Sequence, residues 1–337
     1  MRLLPLLALA MLISACSAPE PEGYHLVQTI PVAGGGGWDY VTVDDAARRV
    51  YVSHMQQVDV LDADTGALKG TISPLQGVHG VAIAPEAGHG FITNGKSNTV
   101  AMFDTDTLQV IKSIPAGRKP DAIIYDPATR RVLAFNGESG SATVLDTSGR
   151  KRGTISLGGG PEFPAADGAG HVFVNLEDKS ELIMLDPRKL KVLNRWAVAP
   201  GESPSSLAID REHHRLFIGC RNRLFVVMDA DDGHVVATLP LGDHVDATAY
   251  DAGTGLVISS NGDGTMTVIH EDDPDHYRVI QTVLTPKGSR TFGLDEKTHR
   301  LFIPSAAFTP APPATKENPR PRPTAIPGSF NVLVFGQ

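Results

Sequence analysis

Short apolar runs bounded by glycine, aspartate, asparagine or proline recur along most of the chain, and nowhere do apolar residues sustain a 3.6-residue period. Runs of this kind, rich in β-branched and aromatic residues, predict strands, and the missing helical period predicts an all-β fold. One strand recurs seven times: Val50-Tyr-Val-Ser53, Phe91-Ile-Thr93, Val132-Leu-Ala-Phe135, Val172-Phe-Val174, Leu216-Phe-Ile218, Leu256-Val-Ile258 and Leu301-Phe-Ile303. Before each of them an acidic residue or proline ends another strand, at Asp44, Pro85, Asp126, Asp167, Asp210, Asp251 and Asp295, with intervals of 41, 41, 41, 43, 41 and 44.

A third strand follows in each unit and commonly closes on aspartate, as at Asp62, Asp104, Asp146, Asp186 and Asp229, before turn residues and a fourth strand such as Val235-Val-Ala-Thr-Leu239. Four strands repeating about every 40 residues predict a single seven-bladed β-propeller over residues 24–337. Gly80-Val-Ala-Ile-Ala-Pro85, Gly90-Phe-Ile-Thr-Asn-Gly95, Ser97-Asn-Thr-Val-Ala-Met-Phe-Asp104 and Val110-Ile-Lys-Ser-Ile-Pro-Ala-Gly117 resemble successive parts of the YVTN repeat of YncE-like propellers. The likeness spans residues 25–337 and is weakest in the fourth unit, where Pro161-Glu-Phe-Pro164 and Asp178-Lys-Ser-Glu181 replace the usual turn residues.

The seventh unit has no fourth strand of its own after Phe330-Asn-Val-Leu-Val-Phe335. Tyr24-His-Leu-Val-Gln-Thr-Ile-Pro31 carries the pattern of Leu108-Gln-Val-Ile-Lys-Ser-Ile-Pro115, so the N-terminal strand is expected to pair into the last blade and close the ring, leaving no open edge. An insertion at 306–328 holds Pro310, Pro312, Pro313, Pro319, Pro321, Pro323 and Pro327 with Lys316, Arg320 and Arg322. It predicts an extended basic loop, a mobile surface segment or else a cover or docking arm at the channel.

Residues 1–15 have the charged start, apolar stretch and small-residue end of an export signal, too short to span a membrane. Ile13-Ser14-Ala15-Cys16 resembles a bacterial lipoprotein box, which implies cleavage before Cys16, lipidation of its thiol and a tether over 16–23; Ser17, in place of an aspartate, favours the outer membrane facing the periplasm. Cys220 is then left without a disulfide partner and reads as a buried small residue. Removing Arg2, the only charged residue of 1–15, takes the net charge from −8 to −9, which makes nucleic acid an unsuitable partner. A monomer is expected.

In a propeller the innermost strands line a central channel, and one face gathers the loops that enter them. Five positions before each first-strand end stand Asp39, Gly80, Asp121, Glu162, Ser205, Asp246 and Arg290. Arg290 is expected between Asp246 and Asp39, with Asp121 and Glu162 as neighbours beside Arg118 and Lys119. His79 and His244 precede these positions, His54 ends a second strand, and Trp38, after a tetraglycine, is either a stacking platform or a wedge between blades. The acidic residues either recognise a ligand or cap backbone amides. His213-His214 falls in a hairpin turn and reads as solvated. No motif for haem, zinc or a serine nucleophile is present, so no cofactor is expected; a divalent metal held by channel histidines and carboxylates is the alternative.

The function expected from this pattern is non-catalytic binding of a small molecule or an envelope protein at the channel mouth. The first alternative is a hydrolase similar to propeller lactonases, with a channel metal or an acid/base pair. The second is an accessory to periplasmic quinone- or haem-dependent oxidation.

Overall fold

The computed structural model describes residues 23–34, 37–313, 315, 321 and 323–337. The signal segment 1–15, Cys16, the rest of the tether to residue 22, and Lys316, Arg320 and Arg322 lie outside the described residues.

Seven antiparallel sheets of four strands each make up the described chain. Among the described residues the chain is all-β, with two short 3₁₀ turns, at Pro85–Ala87 and Glu177–Lys179. The innermost strands of blades one to seven are Trp38–Asp44, Val78–Ala84, Pro120–Asp126, Pro161–Ala166, Pro204–Asp210, Val245–Asp251 and Gly293–Asp295. Six sheets are built from consecutive strands; the seventh joins Gly293–Asp295, Arg300–Ser305 and Asn331–Gly336 to an outer strand, His25–Pro31. His25 lies opposite Gly336 and Pro31 opposite Asn331.

Apolar side chains cluster where neighbouring blades meet. Tyr51 and Ile72 of blade one pack with Ile92 and Phe103 of blade two, and Phe135 of blade three with Val172 and Ile183 of blade four. Ile30, Phe302 and Val332 of blade seven pack with Val50 and Val52 of blade one. Because both faces of a blade's middle strands are covered, those strands read as continuous apolar runs; truncating one of their buried phenylalanines to alanine would cost about 3–5 kcal/mol.

Side-chain hydrogen bonds to inner-strand carbonyls cross several of the blade junctions. Thr42 Oγ1 donates to the Val81 carbonyl at 2.8 Å, Ser205 Oγ to the Val245 carbonyl at 2.7 Å, and Thr291 Oγ1 to the Asp39 carbonyl at 2.7 Å. Ser53, Thr93 and Ser260 reach the carbonyls of His79, Asp121 and Arg290 in the same way. On the opposite face Arg48 of blade one holds the fully buried Asp295 of blade seven through two bonds of 2.7 and 2.6 Å.

The periodic aspartates are turn-builders. Asp62 Oδ1 accepts from the Asp64 and Thr65 amides, and Asp104, Asp146, Asp186 and Asp229 repeat the arrangement. A short side-chain acceptor two or three residues before a free amide stabilises a tight turn, which is why aspartate recurs at these strand ends.

Candidate functional site

A bulge near the start of the innermost strands positions the candidate site. Trp38 pairs with His54, but the next regular pair is Val41 with Val52, so an extra residue is accommodated between them. Matching shifts follow Val78, Pro120, Pro161, Pro204 and Val245. Bulges re-aim side chains, and the residue after each of these starting positions is Asp39, His79, Asp121, Glu162, Ser205 or Asp246. His79, not Gly80, therefore occupies the ring position of blade two. The reason is local: Ala84 ends that strand opposite His89, as Asp44 ends its own opposite Arg49, and Pro85 already belongs to a 3₁₀ turn.

At this level His79 Nδ1 lies 2.5 Å from Asp39 Oδ2 and 3.4 Å from Asp121 Oδ1. Arg290 Nε meets Asp246 Oδ2 at 3.1 Å, so the guanidinium pairs with one of its two expected carboxylates while Asp39 turns to the imidazole. Burial lowers the proton affinity of His79, but the hydrogen bond to Asp39 and the charges of Asp121 and Asp39 outweigh it, and its pKa is raised. Burial raises the Asp121 carboxyl against the pull of His79. Asp246 is pushed up to about 6 by burial, opposed by Arg290. Glu162 is pushed up to about 8 by burial, then by the charges of Asp121 and Glu177. None of these four carboxylates accepts a backbone amide among the described hydrogen bonds, in contrast to the turn aspartates.

Directly beneath, Tyr40 of blade one and Phe163 of blade four are in ring contact, with centroids 5.0 Å apart. These blades stand across the ring from one another, so the contact spans the axis and divides the channel. Above it a cavity of about 640 Å³ is lined by Trp38, Asp39, His79, Lys96, Lys119 and Arg290, among others. Below it a cavity of about 570 Å³ is lined mostly by apolar groups such as Val43, Ile83, Ile124 and Leu294. The Tyr40 hydroxyl is held well above its ordinary pKa by burial and then by the Asp121, Asp39, Glu162 and Asp246 charges, and so stays protonated as a neutral floor.

Other candidates are placed elsewhere. His54 is buried, its Nδ1 3.1 Å from Asp59 Oδ2 and its ring stacked on Phe330 at 4.3 Å, because the residue opposite each inner-strand start points into the blade. His244 is exposed beside Asp243. Arg118 is turned outward, with Nη2 donating to the Glu138 carbonyl at 3.3 Å. Trp38 packs on Phe330 and Phe308 at centroid distances of 5.5 and 5.9 Å, wedged between blades one and seven while forming one wall of the mouth. Phe308 opens the proline-rich insertion, whose base is held by a Phe308–Ala325 bridge. Sequence reasoning did not include Tyr40, Phe163, Lys96, Glu138, Glu177 or Arg221; the last two form an ion pair, and Glu177 lies against Glu162.

No family model and no curated protein matches the chain. Among solved structures it is similar to a chain of Kuenenia stuttgartiensis hydrazine synthase, with 16% identity, TM-score 0.70, and 88% of this chain and 97% of that one covered. It is also similar to a chain in the crystal structure of the mitotic checkpoint complex, with 13% identity, TM-score 0.74, and 99% of each chain covered. The fold is a β-propeller. At these identities the likeness extends to the fold and no further.

Proposed function

We propose that this propeller binds a ligand, or an exposed group of a partner protein, that carries a cationic centre into the channel mouth, without transforming it. The observation behind this reading is a well closed below by Tyr40 and Phe163, beside which Asp39 and Asp121 share the single imidazole of His79, Asp246 pairs with Arg290, and Glu162 has no ion-pair partner among the described residues. Buried carboxylates short of counter-charge are stabilised by an incoming cation. The lipoprotein-like Cys16 segment supports a place in the cell envelope, lipid-anchored and on the periplasmic side of the outer membrane.

The test is affinity for the ligand or partner recovered with the protein from native membranes, measured on Asp121→Asn and Glu162→Gln beside the unaltered chain. Loss of a charged contact should weaken binding by about 1.5–3 kcal/mol, roughly ten- to a hundredfold, with the melting temperature not lowered. Unaltered affinity in both variants would refute recognition at the mouth.

A second reading, lactonase-like hydrolysis, is favoured by one observation: Asp39, His79 and Asp121 each offer a ligating atom within 4.8 Å of the others. A bound divalent metal would supply an activated water there, with Glu162 as a proton donor near neutral pH. Stoichiometric metal in the purified protein together with lactone turnover would establish this reading; turnover of no lactone by the metal-loaded protein would remove it.

We further propose that the pairing of His25–Pro31 with Asn331–Gly336 is what keeps the ring closed. Without it the edge of Asn331–Gly336 would be open to other chains.

A further inference from the structure

On the face opposite the mouth, where blades five and six meet, Asp210, His213 and Glu271 converge. Asp210 ends the innermost strand of blade five and is buried. Its Oδ1 accepts the Glu212 amide at 2.9 Å, and its Oδ2 lies 2.6 Å from His213 Nδ1. Glu271 comes from the third strand of blade six and is 8% exposed. Its Oε1 accepts the Tyr277 hydroxyl at 3.0 Å. Its Oε2 is buried with no hydrogen-bond partner, although the Tyr250 hydroxyl is close beside it. One ligating atom from each of the three residues lies within 4.8 Å of the other two.

Two buried carboxylates from different blades need a cation or a proton between them. Arg215, the guanidinium nearby, is committed elsewhere: Nη1 to Asp229 at 2.7 Å, Nε to the Pro274 carbonyl at 2.9 Å and Nη2 to Asp275 at 3.1 Å. Glu212 adds a further negative charge close by. Blades three and seven satisfy the aspartate at this position with Thr129 on Asp126 and with Thr298 and Arg48 on Asp295, while in blades four and six an imidazole meets it, His171 on Asp167 and His299 on Asp251. Blade five also uses an imidazole, His213, and adds to it a second buried carboxylate, Glu271.

We propose that Asp210, His213 and Glu271 bind a divalent transition-metal ion of the zinc or manganese class that clamps blade five to blade six. One imidazole nitrogen with carboxylate oxygens suits such ions, whereas calcium and magnesium prefer all-oxygen sets. The partly exposed edge of His213 gives the ion a way in. The site is separate from the mouth and independent of what the mouth binds.

The test uses the full chain carrying Asp39→Asn and His79→Gln, which disable the mouth set, stripped with chelator and titrated with zinc by calorimetry and thermal unfolding. The expected result is one tightly bound ion per chain and a raised melting temperature. Because changes behind a metal's ligands already weaken affinity about 10–100-fold, loss of the ligand itself in Glu271→Gln should cost at least about a hundredfold. That variant should also abolish the zinc-induced rise while leaving the stripped protein as stable as before. His213→Gln, altered at a partly exposed side chain, provides the same measurement if Glu271→Gln does not fold. No zinc uptake in the mouth-disabled protein, or uptake unchanged by Glu271→Gln or His213→Gln, would overturn the proposal.

Discussion

The mouth residues carry their chemistry in their protonation. Glu162 is raised from 4.5 to about 8 by burial and then by its acidic neighbours, so between those values the folded chain holds a proton that the unfolded chain releases. Its contribution to stability is therefore full below about pH 4.5 and is lost as pH rises through about 8. His79, also raised, acts in the same direction: its imidazolium stabilises the fold below its unfolded pKa, and that is lost as pH rises through the folded value. Glu162→Gln cannot ionise, so its melting temperature should fall less than that of the unaltered chain between about pH 5 and 9, with the two curves converging in acid. Parallel curves over that range would show that Glu162 is not buried as described. The carboxylates were legible in the sequence because the repeat brings them to one register. The aromatic floor was not read from the sequence, although in the register the structure gives, the position after each ring residue holds Tyr40, Gly80, Ala122, Phe163, Ser206, Ala247 and Thr291. Blades one and four lie across a seven-bladed ring from one another, so the contact follows only when blade number and repeat position are considered together. His54 was misplaced because its position in the repeat does not reveal that the residue opposite a strand start points inward.

Strand patterns reveal existence better than register. All seven inner strands were legible, yet the one-residue offset in blade two was hidden, because proline opens a 3₁₀ turn there where other blades use aspartate within an extended turn. The nine-residue third and outer strands of blade six, Thr265–Asp273 and His276–Leu284, also exceed what the repeat suggests. Their added length carries Glu271 and Tyr277 to the junction with blade five. The outer strand His25–Pro31 makes its own prediction. Ile30 is buried in the cluster joining blades seven and one, and Tyr24, next to the strand, is buried against blade six. Deleting residues 24–31 removes both contacts and a row of backbone hydrogen bonds. Light scattering and thermal unfolding of the deletion variant should show aggregation and a lowered melting temperature. A monomeric variant melting with the parent would mean that the ring holds by its inner latches alone, such as Arg48 on Asp295.

For the molecule as a whole, the proposed place in the cell envelope rests on Cys16. Cys16→Ser should leave the chain without lipid and move it from the membrane to the soluble fraction, as read by detergent partitioning; undiminished membrane association would refute the anchor. No feature of the blades bears on this, because a propeller presents similar edges in any compartment; the expectation comes from the lipoprotein-like segment alone. The ring contact between Tyr40 and Phe163 has a consequence at this same scale. A tunnel open at both ends can be threaded, so that a polymer is gripped anywhere along its length and passed onward. A cup cannot be threaded: whatever enters must withdraw by the same rim, and only a tip fits inside. Under the proposed function the mouth would read termini, side-chain ends or head groups, and the interior of a long chain would go unread however many charges it carried.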